Sequence, residues 1–98
     1  MLQKNAIKDR LASSKSRLRT FGINRLGLFG SACRNDMKEG SDIDILIDFE
    51  NDKETYINFI EACQLLESVF QGYNVDIVSV KGLSPFIGPH ILKDVEYV

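Results

Sequence analysis

An alternating acidic and apolar segment at residues 42–49 constrains the fold more than any other feature of the sequence. It reads Asp-Ile-Asp-Ile-Leu-Ile-Asp-Phe, and the alternation predicts a β-strand with isoleucines on one face and aspartates on the other. Strands disfavour aspartate, and a half-buried carboxylate is costly unless it is paired. A divalent cation bound by Asp42 and Asp44 would relieve both the burial and the mutual repulsion of these acids. A sheet face that is simply exposed to water is the alternative explanation.

The patterns of the remaining sequence predict a single small domain over residues 1–98. Apolar residues that recur every three or four positions indicate helices, and short apolar runs that end at polar or glycine-containing segments indicate strands. The helix predicted over 55–70 is expected to bury Tyr56, Phe59 and Phe70. The order of elements predicts an α/β (α+β) fold in which helices cover a mixed sheet of three to four strands. The predicted elements are a helix over 2–20, a strand over 23–29, a two-turn helix from residue 31, strands over 42–49 and 73–80 on either side of the 55–70 helix, a short helix around 91–92, and an edge strand or docking tail over 95–98.

Composition limits the environment in which such a domain works. The hydrophobic and charged fractions, 44% and 27%, are typical of a globular domain. A helix that crosses a bilayer needs about 20 consecutive apolar residues, and no apolar run of this sequence approaches that length. The first residues also lack the apolar core of a signal peptide. We therefore expect a cytoplasmic protein with no membrane partner. The cysteines, Cys33 and Cys63, and the single histidine, His90, are too few for a structural zinc site, so two reduced thiols are expected.

Basic residues are concentrated in the first quarter of the chain. Although the formal net charge is −2, the segment up to residue 25 contains one acid, Asp9, and many cations. This asymmetry fits either an electrostatic docking face or the solvated side of a helix, and the sequence leaves both open. The acidity of the whole chain argues against nucleic acid as a partner. The basic residues of the segment are Lys4, Lys8, Arg10, Lys15, Arg17, Arg19 and Arg25.

Two further features can join the acids of the 42–49 strand. Asp76 lies in an otherwise apolar run, and if its strand is a neighbour of 42–49, three carboxylates share one face. Three such carboxylates suit a pair of metal ions in phosphoryl-transfer chemistry, whereas an edge-strand acid that faces water is the alternative. Gly30 and Ser31 stand where a strand turns into a helix, which exposes backbone N–H groups to an anion. Ser31 can either cap the helix or donate its hydroxyl to a phosphate oxygen.

The spacing of these features resembles the signature of a known superfamily. Ten residues separate Ser31 from Asp42, so that LFGSACRNDMKEGSDIDILIDF contains the pattern GS-x10-DxD. This segment closely resembles the polymerase-β-like nucleotidyltransferases and, among them, the minimal nucleotidyltransferases that act as antitoxin partners of HEPN toxins. The resemblance covers residues 23–80 well, and it is weaker in the basic first helix and in the C-terminal tail.

The resemblance implies the metal-binding and catalytic roles of the acids. Asp42, Asp44 and Asp76 would be the catalytic residues and the ligands of two Mg²⁺ ions, with Mn²⁺ as an alternative. Asp76 would also help to deprotonate the attacking hydroxyl.

A nucleotide- and phosphate-binding set is also implied. Gly30 and Ser31 would hold the triphosphate, Ser41 would support the loop before the acids, and Arg34 would form an ion pair rather than contact the substrate directly. The chain departs from the family pattern at Cys33, where alanine is usual, and at Asn35, which replaces a glycine. Both replacements concern the shape of the loop and leave the acids intact.

The activity implied by the resemblance is transfer of a nucleoside monophosphate, AMP from ATP in the first instance or from another nucleoside triphosphate. The sequence ends soon after its third predicted strand, so the acceptor is expected on another chain or on a second copy in a homo-oligomer. Family resemblance points to a tyrosine hydroxyl on a HEPN toxin. A non-catalytic antitoxin that neutralises its partner by occlusion is the competing interpretation.

Overall fold

The predicted helices and strands are present in the computed structural model, which describes residues 2–98, with small changes at their ends. Helices account for much of the chain between strands, and a 3₁₀ turn over Val80–Gly82 follows the third strand. In chain order the elements are α1 (Lys4–Arg19), β1 (Ile23–Phe29), α2 (Gly30–Cys33), β2 (Ile43–Phe49), α3 (Tyr56–Val69), β3 (Val75–Ser79), α4 (Gly88–Asp94) and β4 (Glu96–Tyr97).

The strands form one mixed sheet in the order β3-β2-β1-β4. β1 runs antiparallel to β2 and to β4, whereas β2 and β3 are parallel. A parallel pair needs a long crossover, and α3 supplies it. The prediction of a mixed sheet of three to four strands covered by helices is therefore confirmed, and residues 96–97 form an edge strand.

The two faces of the sheet have different surroundings. Because side chains alternate along a strand, Leu28 and Ile45 point towards α1 and α3, and they belong to the main apolar core. Asp44, Leu46 and Asp48 point to the opposite face. Leu46 is fully buried even though it lies outside that core, so the second face is covered near its middle. The acids on β2 thus lie on the face that the core does not use.

Two predictions about helices were wrong in detail. Tyr56 was expected in the core, but its side chain is 80% exposed. It is the first residue of α3, and helical side chains lean towards the N-terminus, so its ring projects beyond the end of the helix. Phe70 and Leu66 are buried, as the apolar spacing predicts, and Ala62 and Leu65 are buried with them. The helix α2 has one turn rather than two, since Asn35 adopts a left-handed conformation with φ 59° and ends it.

Several basic residues near the N-terminus make contacts within the fold. Lys4 and Lys8 form ion pairs with Glu96 at 2.5 and 3.3 Å, and Arg10 donates to the carbonyl of Val69 at 3.0 Å. These contacts favour a structural use of this side of α1 over a docking face. Both cysteines are free thiols. Along residues 2–98, no helix is long and apolar enough to cross a membrane.

Candidate active site

The parallel pairing of β2 with β3 brings two carboxylates face to face. Asp44 on β2 lies directly opposite Asp76 on β3, and on its other side it lies opposite Phe29 of β1. Paired residues of neighbouring strands point to the same face of a sheet. The condition that the sequence left open for Asp76, that its strand be a neighbour of β2, is therefore met.

Burial and charge together destabilise the ionised form of Asp44. Burial raises its pKa the most, and the negative charges of Asp76 and Asp42 raise it further, to about 6. A hydrogen bond between the carboxyl groups of Asp44 and Asp76 acts in the same direction, while the positive charge of Arg34 lowers the pKa. A pKa that neighbouring like charges raise marks a position where a cation would be favourable.

The third acid, Asp42, is placed differently from the facing pair. It lies one residue before β2 and acts on Asp44 through its charge. Across residues 2–98, no three His, Cys, Asp or Glu side chains converge closely enough to form a ready ligand set for a metal ion. Asp44 and Asp76 thus lie side by side on neighbouring strands, whereas Asp42 lies next to this pair without being part of it.

Gly30 lets the carboxylate of Asp44 lie against the backbone where β1 turns into α2. Its φ is +72°, in the left-handed region, and a Cβ atom at this position would overlap Asp44, with its Cγ only 3.0 Å away. A side chain here would therefore be strained in its backbone and would also displace the carboxylate. The Gly-Ser turn and the acidic pair are consequently one packed unit.

Ser31 does not cap the helix that it helps to begin. The N-cap position of α2 is occupied by Phe29, and no side chain accepts a capping hydrogen bond there. Helix capping therefore does not explain the presence of Ser31 in this structure. Its side chain is half-buried beside Gly30, and its role in phosphate binding stays a prediction.

Ser41 and Arg34 occupy the loop between α2 and β2. The Oγ atom of Ser41 accepts a hydrogen bond from the backbone N–H of Lys38 at 3.0 Å, and its own N–H donates to the Lys38 carbonyl at 2.9 Å. These bonds close the turn that precedes the acids. The Nε atom of Arg34 pairs with Asp36 at 3.4 Å on the surface, so an ion pair is present where the sequence predicted one.

The sequence did not reveal that α4 borders this site. A depression of about 130 Å³ lies beside Gly30 and Arg34, and α4 contributes His90 and Asp94 to its wall. Both side chains are exposed. No local pattern connects residues 88–94 with residue 30, because the contact depends on how the tail returns to pair with β1. The depression is lined by Phe29, Gly30, Arg34, His90, Ile91 and Asp94.

A mixed sheet that presents facing carboxylates beside a Gly-Ser turn is the arrangement that the resemblance to nucleotidyltransferases implies. The family model of the nucleotidyltransferase domain matches residues 8–98, so the chain belongs to this family. Within it, the chain is similar to protein adenylyltransferase MntA of Thermococcus cleftensis, with 39% identity over 100% of this chain and 98% of the relative. The family that the GS-x10-DxD pattern indicated is thereby confirmed.

Solved structures give the same result at the level of the fold. A structure described as a candidate minimal nucleotidyltransferase superimposes with a TM-score of 0.82 at 29% identity, over 97% of this chain and 95% of that chain. A toxin-antitoxin crystal structure with AMP-PNP superimposes with a TM-score of 0.71 at 23% identity, over 98% and 72%. The second likeness concerns the fold alone.

Proposed function

We propose that this chain is a protein adenylyltransferase that transfers AMP from ATP to a hydroxyl on a partner protein and thereby acts as an antitoxin. The observation that carries the proposal is the pair of facing carboxylates, Asp44 and Asp76, packed against the Gly30 turn. The relative named protein adenylyltransferase MntA and the toxin-antitoxin fold neighbour support it. A tyrosine of a HEPN-type toxin is the acceptor that we propose.

The donor set of the site fits a divalent cation. Carboxylate oxygens are the ligands that Mg²⁺ and Mn²⁺ prefer, and the repulsion that raises the pKa of Asp44 is what a cation would remove. We propose that Asp42, Asp44 and Asp76 hold two Mg²⁺ ions. When bound, these ions supply charge neutralisation of the triphosphate and a more acidic acceptor hydroxyl.

The residues of the chain would position the substrates and move the proton. The backbone at Gly30 and the hydroxyl of Ser31 would bind phosphate oxygens. Asp76 would receive the proton of the acceptor hydroxyl, whose oxygen forms a new bond to the α-phosphorus. The bond between the α-phosphorus and the bridging oxygen breaks, and pyrophosphate leaves with the electron pair. The contribution of the protein is positioning and charge compensation rather than a covalent intermediate.

The deciding experiment uses the purified chain together with its partner protein, Mg²⁺ and ATP labelled on the α-phosphate. We expect label on the partner and an intact mass that is larger by AMP, located on tyrosine by peptide mapping. An unlabelled partner of unchanged mass would contradict the proposal.

A binding module without catalysis is the second candidate function. The observation that favours it is that, within residues 2–98, the acids do not converge into a ready three-ligand group. The double substitution Asp42→Asn and Asp76→Asn separates the two functions, because it removes the chemistry and two exposed negative charges while the side chains keep nearly the same shape. If the double variant still neutralises the toxin fully in cells, occlusion is sufficient. Loss of neutralisation with unchanged complex formation supports catalysis.

A further inference from the structure

The outer edge of β3 is a free edge of the sheet. β3 is the last strand in the order β3-β2-β1-β4, and it pairs with β2 alone. The backbone N–H of Ile43 donates to the carbonyl of Asn74 at 2.8 Å, so the backbone groups of Asn74 face β2. Because consecutive residues of a strand direct these groups to alternate sides, Asp76 also faces β2, whereas the N–H and carbonyl groups of Val75 and Ile77 point away from the sheet.

The outward groups of Val75 and Ile77 are not used within the fold. No backbone hydrogen bond among the described residues 2–98 reaches them. Natural sheets protect a free edge with lysine, proline or a bulge. β3 contains neither of these residues, and its pairing with β2 continues over its whole length without a shift in register. β3 therefore has the properties of a strand to which a further strand can be added.

This free edge adjoins the candidate active site. Asp76 is exposed, and it is the only charged residue of β3. On the other side of the acid pair, Asp44 lies against Gly30 and opposite Phe29. The chain therefore closes the site on the side of β1 and leaves it open on the side of β3. A hydroxyl group of another protein can approach Asp76 across this edge.

The opposite face of the same edge has an apolar surface that α3 supplies. Ile77 packs against the main core, and Ser79, two residues further along β3, points to the same face. Ser79 lines an open depression of about 340 Å³ together with Tyr56 and Phe59, and the ring of Tyr56 is exposed. When a peptide adds to a sheet edge, backbone bonds supply the affinity and contacts of alternate side chains supply the specificity. Both kinds of contact are available here.

We propose that an extended segment of the acceptor protein adds to the free edge of β3 and places its acceptor tyrosine beside Asp76. The proposal rests on the proposed function, because it states how the acceptor is bound. A residue opposite Asp76 on the added strand points to the same face as Asp44 and Asp76, so the three side chains form a row across three strands. A tyrosine carries its hydroxyl beyond the carboxylates, whereas a serine at this position would keep its hydroxyl close to the backbone.

The register of the added strand specifies a second contact. A residue three positions from the tyrosine lies opposite Ser79 and points to the face that α3 covers. An apolar side chain at that position contacts Tyr56 and Phe59. The recognised segment is therefore extended and carries a tyrosine and an apolar residue three positions apart.

A titration of the full ¹⁵N-labelled chain with the peptide Ac-Val-Thr-Thr-Tyr-Thr-Thr-Val-NH2 tests the docking. We expect amide shifts centred on residues 75–79 and 56–60, with an affinity in the millimolar range. The matched probe is the same peptide with N-methyl groups on its three central amides, which prevent strand pairing. It should bind about fivefold more weakly or less, as expected for the loss of backbone hydrogen bonds. Equal binding of the two peptides, or no shifts at residues 75–79, would overturn the proposal.

Two substitutions at Val75 test the edge from the side of the protein. Val75→Pro and Val75→Ala both remove the valine side chain, but only the proline removes the outward N–H. Proline is tolerated at the first residue of a strand and where the N–H faces solvent. Val75→Pro should bind the peptide about fivefold more weakly than Val75→Ala, and equal affinities would contradict strand addition. The N-methylated peptide makes the same comparison with the unaltered chain.

A second pair of variants tests the surface on α3. Tyr56→Ala should weaken peptide binding about two- to fivefold through the loss of an aromatic contact, and because Tyr56 is exposed its effect on folding should be small. Tyr97→Ala is the control, since Tyr97 lies on β4 at the opposite edge of the sheet, and it should leave the affinity unchanged. Equal losses in the two variants would refute the contact with α3.

Docking and AMP transfer can fail separately. The titrations contain no ATP, so peptide binding without AMP transfer to the partner would contradict the proposed function and leave the docking edge in place. Equal rates of AMP transfer to the partner by Val75→Pro and Val75→Ala would overturn strand addition and leave the transfer in place. A chain that is dimeric by sedimentation, with the amides of Val75 and Ile77 already protected from hydrogen exchange, would assign the edge to a second copy and overturn the proposal.

Discussion

Asp44 and Glu96 are carboxylates on opposite faces of the same sheet, and the charges that surround them have opposite signs. Asp44 pairs with Phe29 of β1, and Glu96 of β4 pairs with the preceding residue, Leu28. Adjacent residues of a strand point to opposite faces, so Asp44 lies on the candidate active face and Glu96 on the face that α1 covers. The two acids are therefore separated by the thickness of one sheet.

The chain supplies cations to one of these acids and further anions to the other. Hydrogen bonds from Lys4, the thiol of Cys33 and Lys8 lower the pKa of Glu96 to about 2. Burial and the neighbouring acids raise the pKa of Asp44 to about 6. A carboxylate that joins elements of the fold is neutralised by the chain itself. Asp44, the carboxylate that we propose for the chemistry, is left without full compensation, and a cation at this site would relieve the repulsion.

The largest expected difference is in catalysis. Asp44→Asn should reduce AMP transfer about 1000-fold or more, because a site that loses a metal ligand loses several kcal/mol of charge stabilisation, and each 1.36 kcal/mol is tenfold in rate. Asp48→Asn is the control, since Asp48 is on the same strand and face but pairs with Arg25 at 3.1 Å. Single-turnover rates with labelled ATP measure both variants, and equal rates would remove Asp44 from the reaction.

A second prediction concerns the glycine against which Asp44 packs. Gly30 and Gly40 both have positive φ, but only at Gly30 would a Cβ atom meet another group, the carboxylate of Asp44. Gly40→Ala should cost about 1–2 kcal/mol of unfolding free energy from backbone strain alone. Gly30→Ala should cost about 2–4 kcal/mol, because overpacking is added. Urea denaturation at neutral pH gives both values, and equal losses would mean that Asp44 moves aside freely.

A third prediction is the pH dependence of the metal-free protein. The pKa of Asp44 is higher in the folded chain, about 6, than its ordinary value of 3.8, so the folded state binds more protons between these values. Stability should therefore fall as pH rises from about 4 to 6. We expect a fall of about 1–2 kcal/mol, less than the full shift implies, since Asp44 is only partly buried and solvent screens its charge.

The same experiment with Asp44→Asn serves as the control. The variant should lack this component of the pH dependence, and Mg²⁺ should stabilise the parent chain increasingly as pH rises through 6. A parent profile that matches the variant would show that the carboxylate repulsion has no energetic consequence.

The smallest effect is expected at Glu96. Its pKa is lowered from 4.5 to about 2, so its stabilising contribution is present above pH 4.5 and is lost as pH falls towards 2. Because its ion pairs are at the surface, Glu96→Gln should lower the urea midpoint only slightly, and high salt should abolish the difference. A loss as large as that of Gly30→Ala would contradict the distinction drawn between the two faces.

Local pattern was sufficient for much of the fold. The prediction for β1 agrees with Ile23–Phe29, and β2 begins one residue later than predicted, because hydrophobic periodicity depends on neighbours in the chain. The same local information placed Gly30, Ser31, Asp42 and Asp44 in a family pattern. The local pattern wrongly predicted that Tyr56 is buried. The apolar spacing of a helix identifies the face that packs on the sheet, but it does not show which residues at the end of the helix extend beyond the sheet.

The sequence by itself therefore determined the elements, the Gly-Ser turn, the acids at the start of β2 and the nucleotidyltransferase family. Only the tertiary structure decided that Asp76 faces Asp44, that Glu96 returns to the cations of α1 and that β3 lies at a free edge of the sheet. The physical reason is that strand order and register join residues distant in the chain. Such pairings follow from the packing of the whole sheet and helices, which no short segment encodes.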